Sequence, residues 1–350
     1  NIFIGYDAGG GTWDNGGNDT DDSNFNVAIG NYVMDAAMNG ATYNTAMGHS
    51  ALSAVTEADG NVAIGNSAGA SITTGGYNTI LGTGACTTMT ASSSNVILGY
   101  NACTANMTSA ANGTVAVGQS AGTAITAPTH SEENTLIGSS AGTALTVGDG
   151  NVAVGAFALD AEDTGHKSVA IGYESLTAQN SSGDVDARNT AVGYYSGRAI
   201  TTGTNNTILG ASAGVAITTD ACVTAIGYLA YSSNDTTDGH DGTPSNGSGN
   251  TAIGYKSLSA VNSAACIQNT AVGFESMGDG DSHSTANTAI GYRAGKAITS
   301  GDKNVAIGAS AGASITTGEH NIAIGYQALD AEDTQGQNVA IGSFALTTLD

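Results

Sequence analysis

The stretch NVAIGASAGASITTGEHNIAIGYQALDAEDTQGQNVAIG, residues 304–342, contains the phrase N-[VI]-A-I-G three times. Its copies open at Asn304, Asn321 and Asn338, so they follow one another at a constant 17-residue interval. A fixed interval of this length is typical of repeat proteins, in which each repeat is one unit stacked on its neighbours.

Related phrases recur along the whole chain of 350 residues, and ten of the 18 intervals between them have this same length. The remaining intervals are all longer, so the 17-residue interval is the minimum circuit and extra residues leave it as loops. The two longest insertions lie at 6–25 and 228–249. The nineteen copies open at Asn1, Asn26, Asn44, Asn61, Asn78, Asn95, Thr114, Asn134, Asn151, Ser168, Asn189, Asn206, Val223, Asn250, Asn269, Asn287, Asn304, Asn321 and Asn338.

Each position of the phrase has a narrow choice of residue. Position 1 is Asn in 16 copies, position 2 is always β-branched, position 3 is Ala in 14 copies, position 4 is always Ile, Val, Leu or Met, and position 5 is always Gly. Positions 2 to 4 therefore predict a short β-strand that ends at a glycine. A helix is disfavoured by so much Gly, Thr and Asn. We predict an all-β fold: a parallel β-solenoid of about 19 coils that forms one continuous repeat region over residues 1–350.

Stacking of the coils predicts a role for each position. Asn304, Asn321 and Asn338 would form a buried ladder of amide hydrogen bonds along the axis. Gly308, Gly325 and Gly342 fit a corner that needs a positive φ or a close backbone approach. Positions 2 and 4 alternate with position 3, so we expect the former to face the core and the alanines to face outward.

A row of outward alanines would need a flat partner, and a 17-residue coil encloses little volume. Association of three copies about the rod axis would provide that partner and enlarge a marginal core. The sequence therefore favours a homotrimer over an isolated single-chain solenoid. Tyr or Phe at position 6 in nine copies would lie along one edge of each coil.

The composition narrows the functional classes. The net charge is −23, from 7 Lys and Arg against 30 Asp and Glu, which disfavours binding to nucleic acid or to an anionic membrane surface. No apolar run reaches the roughly 18 residues that cross a bilayer, so we expect no membrane insertion. The chain does not begin with Met, and we interpret it as part of a longer protein.

Few residues suggest chemistry, and we predict neither an enzyme nor a cofactor. Clustered carboxylates occur twice at matching repeat positions, in Asp160–Glu162–Asp163 and in Asp330–Glu332–Asp333. Duplication predicts this recurrence, whereas a catalytic cluster would be unique. Asp19, Asp21 and Asp22 could bind calcium through carboxylate oxygens, although a solvated acidic loop is the simpler interpretation. Cys86 and Cys103 hold the same position in adjacent coils and could form a disulfide, or could be two small buried residues.

The repeats NTAIGYRAGKAITSGDKNVAIG (residues 287–308) and NTILGASAGVAITTDACVTAIG (residues 206–227) resemble those of bacteriophage tail-fibre proteins. In that family they precede a C-terminal intramolecular chaperone of the endosialidase type, which is absent from residues 1–350. The VAIG core is also similar to the head repeats of trimeric autotransporter adhesins. The resemblance implies a homotrimeric fibre shaft in a virion or at a cell surface, involved in host attachment through a surface glycan or protein receptor.

Two other functions remain open at this point. A bacterial adhesin or a self-assembling extracellular filament would also be built from many uniform repeats of this kind. An ice-binding solenoid would need hydroxyls on one flat face, and the recurrent Thr-Thr pairs, such as Thr316–Thr317, do not provide the alternating pattern for it.

Overall fold

The computed structural model describes most of the chain and divides it into two compact units. The first unit comprises Asn1–Ser168 and Asn180–Asp186, and the second comprises Val169–Gln179 and Ala187–Asp350. The described residues are 1–11, 23–107, 111–126, 133–181, 183, 185–232, 249–260, 266–279, 283–331 and 334–347.

Within the described ranges the regular structure consists of nineteen strands of three residues, with no helix. Each strand occupies positions 2 to 4 of one repeat. The first unit contains β1 (Ile2–Ile4), β2 (Val27–Ile29), β3 (Thr45–Met47), β4 (Val62–Ile64), β5 (Thr79–Leu81), β6 (Val96–Leu98), β7 (Val115–Val117), β8 (Thr135–Ile137) and β9 (Val152–Val154). The second unit contains β10 (Val169–Ile171), β11 (Thr190–Val192), β12 (Thr207–Leu209), β13 (Thr224–Ile226), β14 (Thr251–Ile253), β15 (Thr270–Val272), β16 (Thr288–Ile290), β17 (Val305–Ile307), β18 (Ile322–Ile324) and β19 (Val339–Ile341).

Inside each unit every strand pairs in parallel with the next strand along the chain, and equivalent positions face each other. Ala306 of β17, for example, lies opposite Ala323 of β18. The hydrogen bonds continue beyond the strands, since Ser310 N–H donates to Tyr292 O (2.8 Å) and Gly312 N–H to Ala328 O (2.8 Å). Most backbone groups of a coil are therefore satisfied by the coils on either side. The prediction of an all-β parallel solenoid with a 17-residue period is confirmed.

The coils turn through residues in the left-handed region of φ. In the coil that opens at Asn304, positions 7 and 9 (Ser310 and Gly312) have φ of 55°, and His320, just before the next asparagine, has φ of 60°. In all, 43 described non-glycine residues have positive φ. Such residues are rare elsewhere, and here many of them donate a backbone hydrogen bond to the neighbouring coil, which holds them in place.

The structure corrects our assignment of strand faces. Position 3 faces the interior, where Ala289, Ala306 and Ala323 are fully buried, whereas positions 2 and 4 are only half-buried or exposed. The physical reason is alternation. Position 1 is buried in the asparagine ladder, and residues two apart in a strand share a face, so position 3 must also point inward.

The interior of a coil has room for one large apolar side chain near position 3. All five coils with a large residue at position 3 have glycine or cysteine at position 9, and coils with Leu, Met or Tyr at position 9 have alanine at position 3. A Cβ on Gly142 would lie 2.8 Å from Leu136 Cδ2, which shows that the two positions share one space. The five pairs are Phe3 with Gly9, Ile80 with Cys86, Ile97 with Cys103, Leu136 with Gly142, and Ile208 with Gly214.

Position 12 fills the same space from the opposite side. Seven of the eight coils with glycine at position 9 have isoleucine or leucine at position 12, as in Gly312 with Ile315, and a Cβ on Gly312 would lie 2.7 Å from Ile315 Cδ1. In five of the six coils with leucine at position 9, position 12 is smaller or polar, as in Leu52 with Val55 and Leu159 with Glu162; the exception is Leu346 with Leu349. Different layers therefore fill their interior with different combinations of side chains.

Candidate functional surface

The asparagine ladder runs through the interior of the coils. Asn321 N–H donates to Asn304 Oδ1 (2.9 Å), and Asn338 N–H donates to Asn321 Oδ1 (3.0 Å). Asn304 Nδ2 also reaches across its own coil to Gly318 O (2.8 Å). Each side chain thus connects its coil to the next and holds its own turn closed, and Asn304 and Asn321 are almost completely buried.

The ladder has substitutions at Thr114, Ser168 and Val223. The backbone N–H of each still donates to the preceding asparagine, at 2.8 Å for Thr114 and 2.9 Å for the other two. The Thr114 hydroxyl is buried without a hydrogen-bond partner. An amide is therefore the side chain that satisfies both its own coil and the next, because it carries both a donor and an acceptor.

The position-5 glycines stack directly on one another. Gly308 has φ of +130°, and a Cβ on it would lie 2.5 Å from Gly325 O, which is closer than any real Cβ contact. Gly325 has the same relation to Gly342, also at 2.5 Å. Gly342 has φ of +125° but no atom within 4 Å of its Cβ position. Both a positive φ and a close backbone approach therefore apply at Gly308 and Gly325.

Each unit has an exposed apolar surface on the outward face of its sheet. We call it the aliphatic face and define it as positions 2 and 4 of the strands. Ile290 and Ile307 are 39% and 37% exposed, and Met47 and Ile64 are comparable in the first unit. None of the 38 residues at these positions is charged in a chain with a net charge of −23. Exposed apolar surfaces of this extent are usually covered by a partner.

Threonines form part of this face in the second unit. Six consecutive strands, β11 to β16, have threonine at position 2, and the strand register places each beside the next. The aliphatic residue at position 4 lies on the same side two residues later. The Thr-Thr pairs noted in the sequence lie elsewhere. In the pair at residues 201–202, Thr201 Oγ1 donates to Thr218 O (3.1 Å), so its hydroxyl is used between coils.

Aromatic residues at position 6 stack along the second unit beside the aliphatic face. Tyr228 and Tyr255 have ring centroids 5.8 Å apart, Tyr255 and Phe274 are 4.8 Å apart, and Phe274 and Tyr292 are 5.4 Å apart. The rings are nearly parallel, with interplanar angles of 12° to 27°. Stacked aromatic pairs contribute about 0.5–1.5 kcal/mol beyond their burial.

Two of the seven basic residues, Arg293 and Lys296, form ion pairs next to these rings. Glu275 accepts from Arg293 Nε (2.8 Å) and Lys296 Nζ (3.4 Å), and Lys296 also contacts Asp279 (3.0 Å). The hydrogen bond to Asp279 raises the pKa of Lys296 above its ordinary value. Arg293 also lies 5.1 Å from the centroid of Tyr292. Because these groups are partly exposed, each pair contributes little to stability, typically about 0–1 kcal/mol.

The structure brings Cys86 and Cys103 together in the core, on adjacent coils. Both are free thiols and fully buried, so the disulfide we considered is not formed in it. A hydrogen bond with the Cys103 thiol, together with burial, raises the pKa of Cys86 well above its ordinary value.

The three calcium candidates, Asp19, Asp21 and Asp22, lie outside the described residues. The part of the chain that is described contains no group of three or more His, Cys, Asp and Glu side chains placed to hold a metal ion. It has two open depressions, of about 420 Å³ beside Tyr32 and His49 and of about 410 Å³ beside Glu319 and His320.

None of the described ranges contains a helix with the length and apolar character needed to span a bilayer.

Comparison with protein-family models, curated proteins and solved structures finds no match to this chain. Our sequence analysis placed the aliphatic face wrongly. Positions 1 and 3 lie on the same face of the strand, so the buried asparagine at position 1 already predicts that position 3 faces inward and positions 2 and 4 face outward.

Proposed function

We propose that this chain is a structural fibre shaft, of the kind found in viral tail fibres, and that three copies associate through their aliphatic faces. The observation that carries the proposal is the uncharged, outward row of β-branched and aliphatic residues on every coil. A monomeric acidic protein would have no reason to keep 38 surface positions free of charge.

Association explains why the uncharged strand residues at positions 2 and 4 lie on the outside of each coil. Each coil is too narrow to bury its strand residues alone, so burial of positions 2 and 4 requires a second chain. Three copies around one axis would cover all the faces at once and leave the acidic residues on the outside. A homotrimer of this kind is a rigid spacer, which suits a shaft that holds a receptor-binding element away from its base.

Attachment to a host receptor and an extracellular or virion location follow from the resemblance of the repeats to tail-fibre proteins. A bacterial adhesin or a surface filament would use the same shaft, and the flanking sequence separates these cases. A virion-attachment domain supports the fibre, whereas an outer-membrane anchor or a sorting signal supports the adhesin.

The decisive experiment measures the oligomeric mass of the 34.3 kDa chain by light scattering and its shape by electron microscopy. We expect three times the chain mass and fibre-shaped particles. A compact monomer of 34.3 kDa would contradict the proposal.

A matched pair of variants tests the surface itself. Ile290→Asp combined with Ile307→Asp places two charges on the aliphatic face and should dissociate the trimer. Ser310→Asp adds charge at position 7, where neighbouring coils have Arg293 and Gln327, and should leave the trimer intact. Far-UV circular dichroism separates dissociation from unfolding, and an unchanged mass for a folded double variant would contradict the assigned surface.

The threonine row favours one second candidate, ice binding by the second unit. Six aligned threonines beside aliphatic side chains form a regular flat face of hydroxyls and methyl groups, with equivalent residues about 4.8 Å apart. Thermal hysteresis of the purified chain tests this candidate, and replacement of Thr251 by Tyr should abolish any activity found. If the purified chain shows no thermal hysteresis, ice binding is ruled out.

A further inference from the structure

We propose that the core beside Cys86 and Cys103 is a binding site for one soft monovalent d¹⁰ cation, of the class of Cu(I) and Ag(I). The site consists of the two thiols and the Met89 thioether, with Met107 next to them. This proposal is independent of the fibre function.

Two adjacent layers concentrate the sulfur of this chain. The coil that opens at Asn78 has Cys86 and Met89 in its interior, and the coil that opens at Asn95 has Cys103 and Met107. All four side chains are fully buried. These two layers of nineteen thus contain two of the four cysteines and two of the six methionines.

The stacking geometry directs one thiol toward the other. A Cβ on Gly122, at position 9 of the following coil, would lie 3.3 Å from Cys103 Sγ, so that sulfur points along the axis toward the next position 9. Cys86 has the same position and a similar φ, of 50° against 49°. Its sulfur therefore points toward Cys103.

The methionines come close to this pair. At Gly69, a Cβ would lie 2.9 Å from the end of Ile72, which shows that positions 9 and 12 of one coil are in contact. Cys86 and Met89 hold these two positions in the next coil. Met89 Sδ also lies 3.9 Å from Asn95 Nδ2, and Thr90 N–H donates to Met107 O (3.3 Å), which places the two methionine segments side by side.

The spacing suits a two-coordinate ion. Equivalent atoms of adjacent coils are about 4.8 Å apart, and two metal–sulfur bonds of about 2.3 Å span about that distance in line. Thiolate and thioether ligands select soft ions such as Cu(I), whereas Mg²⁺ and Ca²⁺ prefer oxygen. A disulfide would require the two sulfurs to approach to about 2 Å.

Charge balance defines the bound state. An apolar interior disfavours a net charge, so a monovalent ion should displace a single proton, from one thiol. The other thiol then donates as the neutral second ligand, the Met89 thioether lies beside the ion as a weak additional donor, and the layer remains neutral. Binding one ion should therefore release one proton, and affinity should fall as the pH is lowered.

The test is titration of the full reduced chain with Ag(I), with the bound ion counted by mass spectrometry and proton release followed in weak buffer. We expect one tightly bound ion and one proton per chain. Cys86→Ala and Cys103→Ala should each weaken binding by tenfold or more, and Met89→Leu by a few-fold. Cys222→Ala, which removes the exposed thiol, and Cys266→Ala, which removes a buried thiol elsewhere, should leave the tight site unchanged.

Circular dichroism and thermal unfolding establish that each variant is folded, and ion binding should raise the melting temperature of the wild type but not of Cys86→Ala. The proposal is overturned if folded Cys86→Ala retains the tight ion, if the tight ion is lost with Cys222 or Cys266, or if no tight ion binds. It is also overturned if the two thiols remain joined as a disulfide in the reduced protein.

Discussion

A single ladder residue connects two coils, so its loss should remove hydrogen bonds in both of them. Asn304→Ala removes the acceptor of Asn321 N–H and the donor to Gly318 O, and leaves two buried groups unpaired. With about 1–3 kcal/mol for each such group, we expect a loss on the order of 3 kcal/mol. Chemical denaturation measures the loss, and faster amide exchange at Asn321 locates it.

The control for this variant is Asn338→Ala. The Asn338 side chain is half-buried and its Nδ2 has no hydrogen-bond partner. Its removal should therefore cost less than about 1 kcal/mol. Equal losses for the two variants would show that the ladder contributes through packing and not through its hydrogen bonds.

The stacked glycines allow conformational strain and steric clash to be measured separately. Gly308 and Gly342 have nearly the same φ, but only a Cβ on Gly308 would meet the carbonyl of the next coil. Gly342→Ala should cost about 1–3 kcal/mol from backbone strain alone. Gly308→Ala should cost distinctly more, and thermal unfolding of both proteins measures the difference. Identical melting temperatures would mean that the coils separate to accommodate a methyl group.

At the scale of one coil, the interior behaves as a single space with alternative fillings. Gly312→Leu should overpack the layer against Ile315 and cost about 1–3 kcal/mol. The double variant Gly312→Leu with Ile315→Ala should recover much of that loss, because it reproduces coils such as the one that contains Leu52. The positive φ of 55° is no obstacle, since Leu52 and Leu329 have φ of 48° and 54° at the same position.

A double-mutant cycle over these variants should give a favourable coupling of about 0.5–3 kcal/mol. Additive losses would indicate that positions 9 and 12 do not compete for space. The pairing of residue sizes along the chain would then need another explanation.

At the scale of the whole molecule, the negative charge opposes association of the copies, whereas the aliphatic faces favour it. Copies that each have a net charge of −23 repel one another, and about 1 M salt shortens the screening length from the roughly 10 Å of about 0.1 M salt to about 3 Å. We therefore expect the proposed trimer to tighten as salt rises. Sedimentation equilibrium at the two salt concentrations measures the effect, and weakening by salt would point to ion pairs across the interface instead.

Much of the fold could be predicted from the phrase between Asn304 and Gly342. The constant 17-residue recurrence determines the length of a coil, and the short β-branched segment before an obligatory glycine determines where each strand ends. Parallel stacking then follows, because it gives the backbone N–H and C=O groups of every coil equivalent hydrogen-bond partners. Each of these features depends on residues within one repeat and recurs nineteen times, so it can be predicted from the composition and spacing of the sequence.

Only the tertiary structure decided which side of the strand faces inward. Hydrophobicity favours Val305 and Ile307 for the core, yet Ala306 occupies it, because position 3 lies on the same face of the strand as the buried ladder residue Asn304. The width of the interior depends on where positions 7, 9 and 17 bend the chain, and those bends depend on hydrogen bonds from neighbouring coils. The face that carries the asparagine therefore points inward, and the apolar residues at positions 2 and 4 face outward, onto the surface that we propose for association.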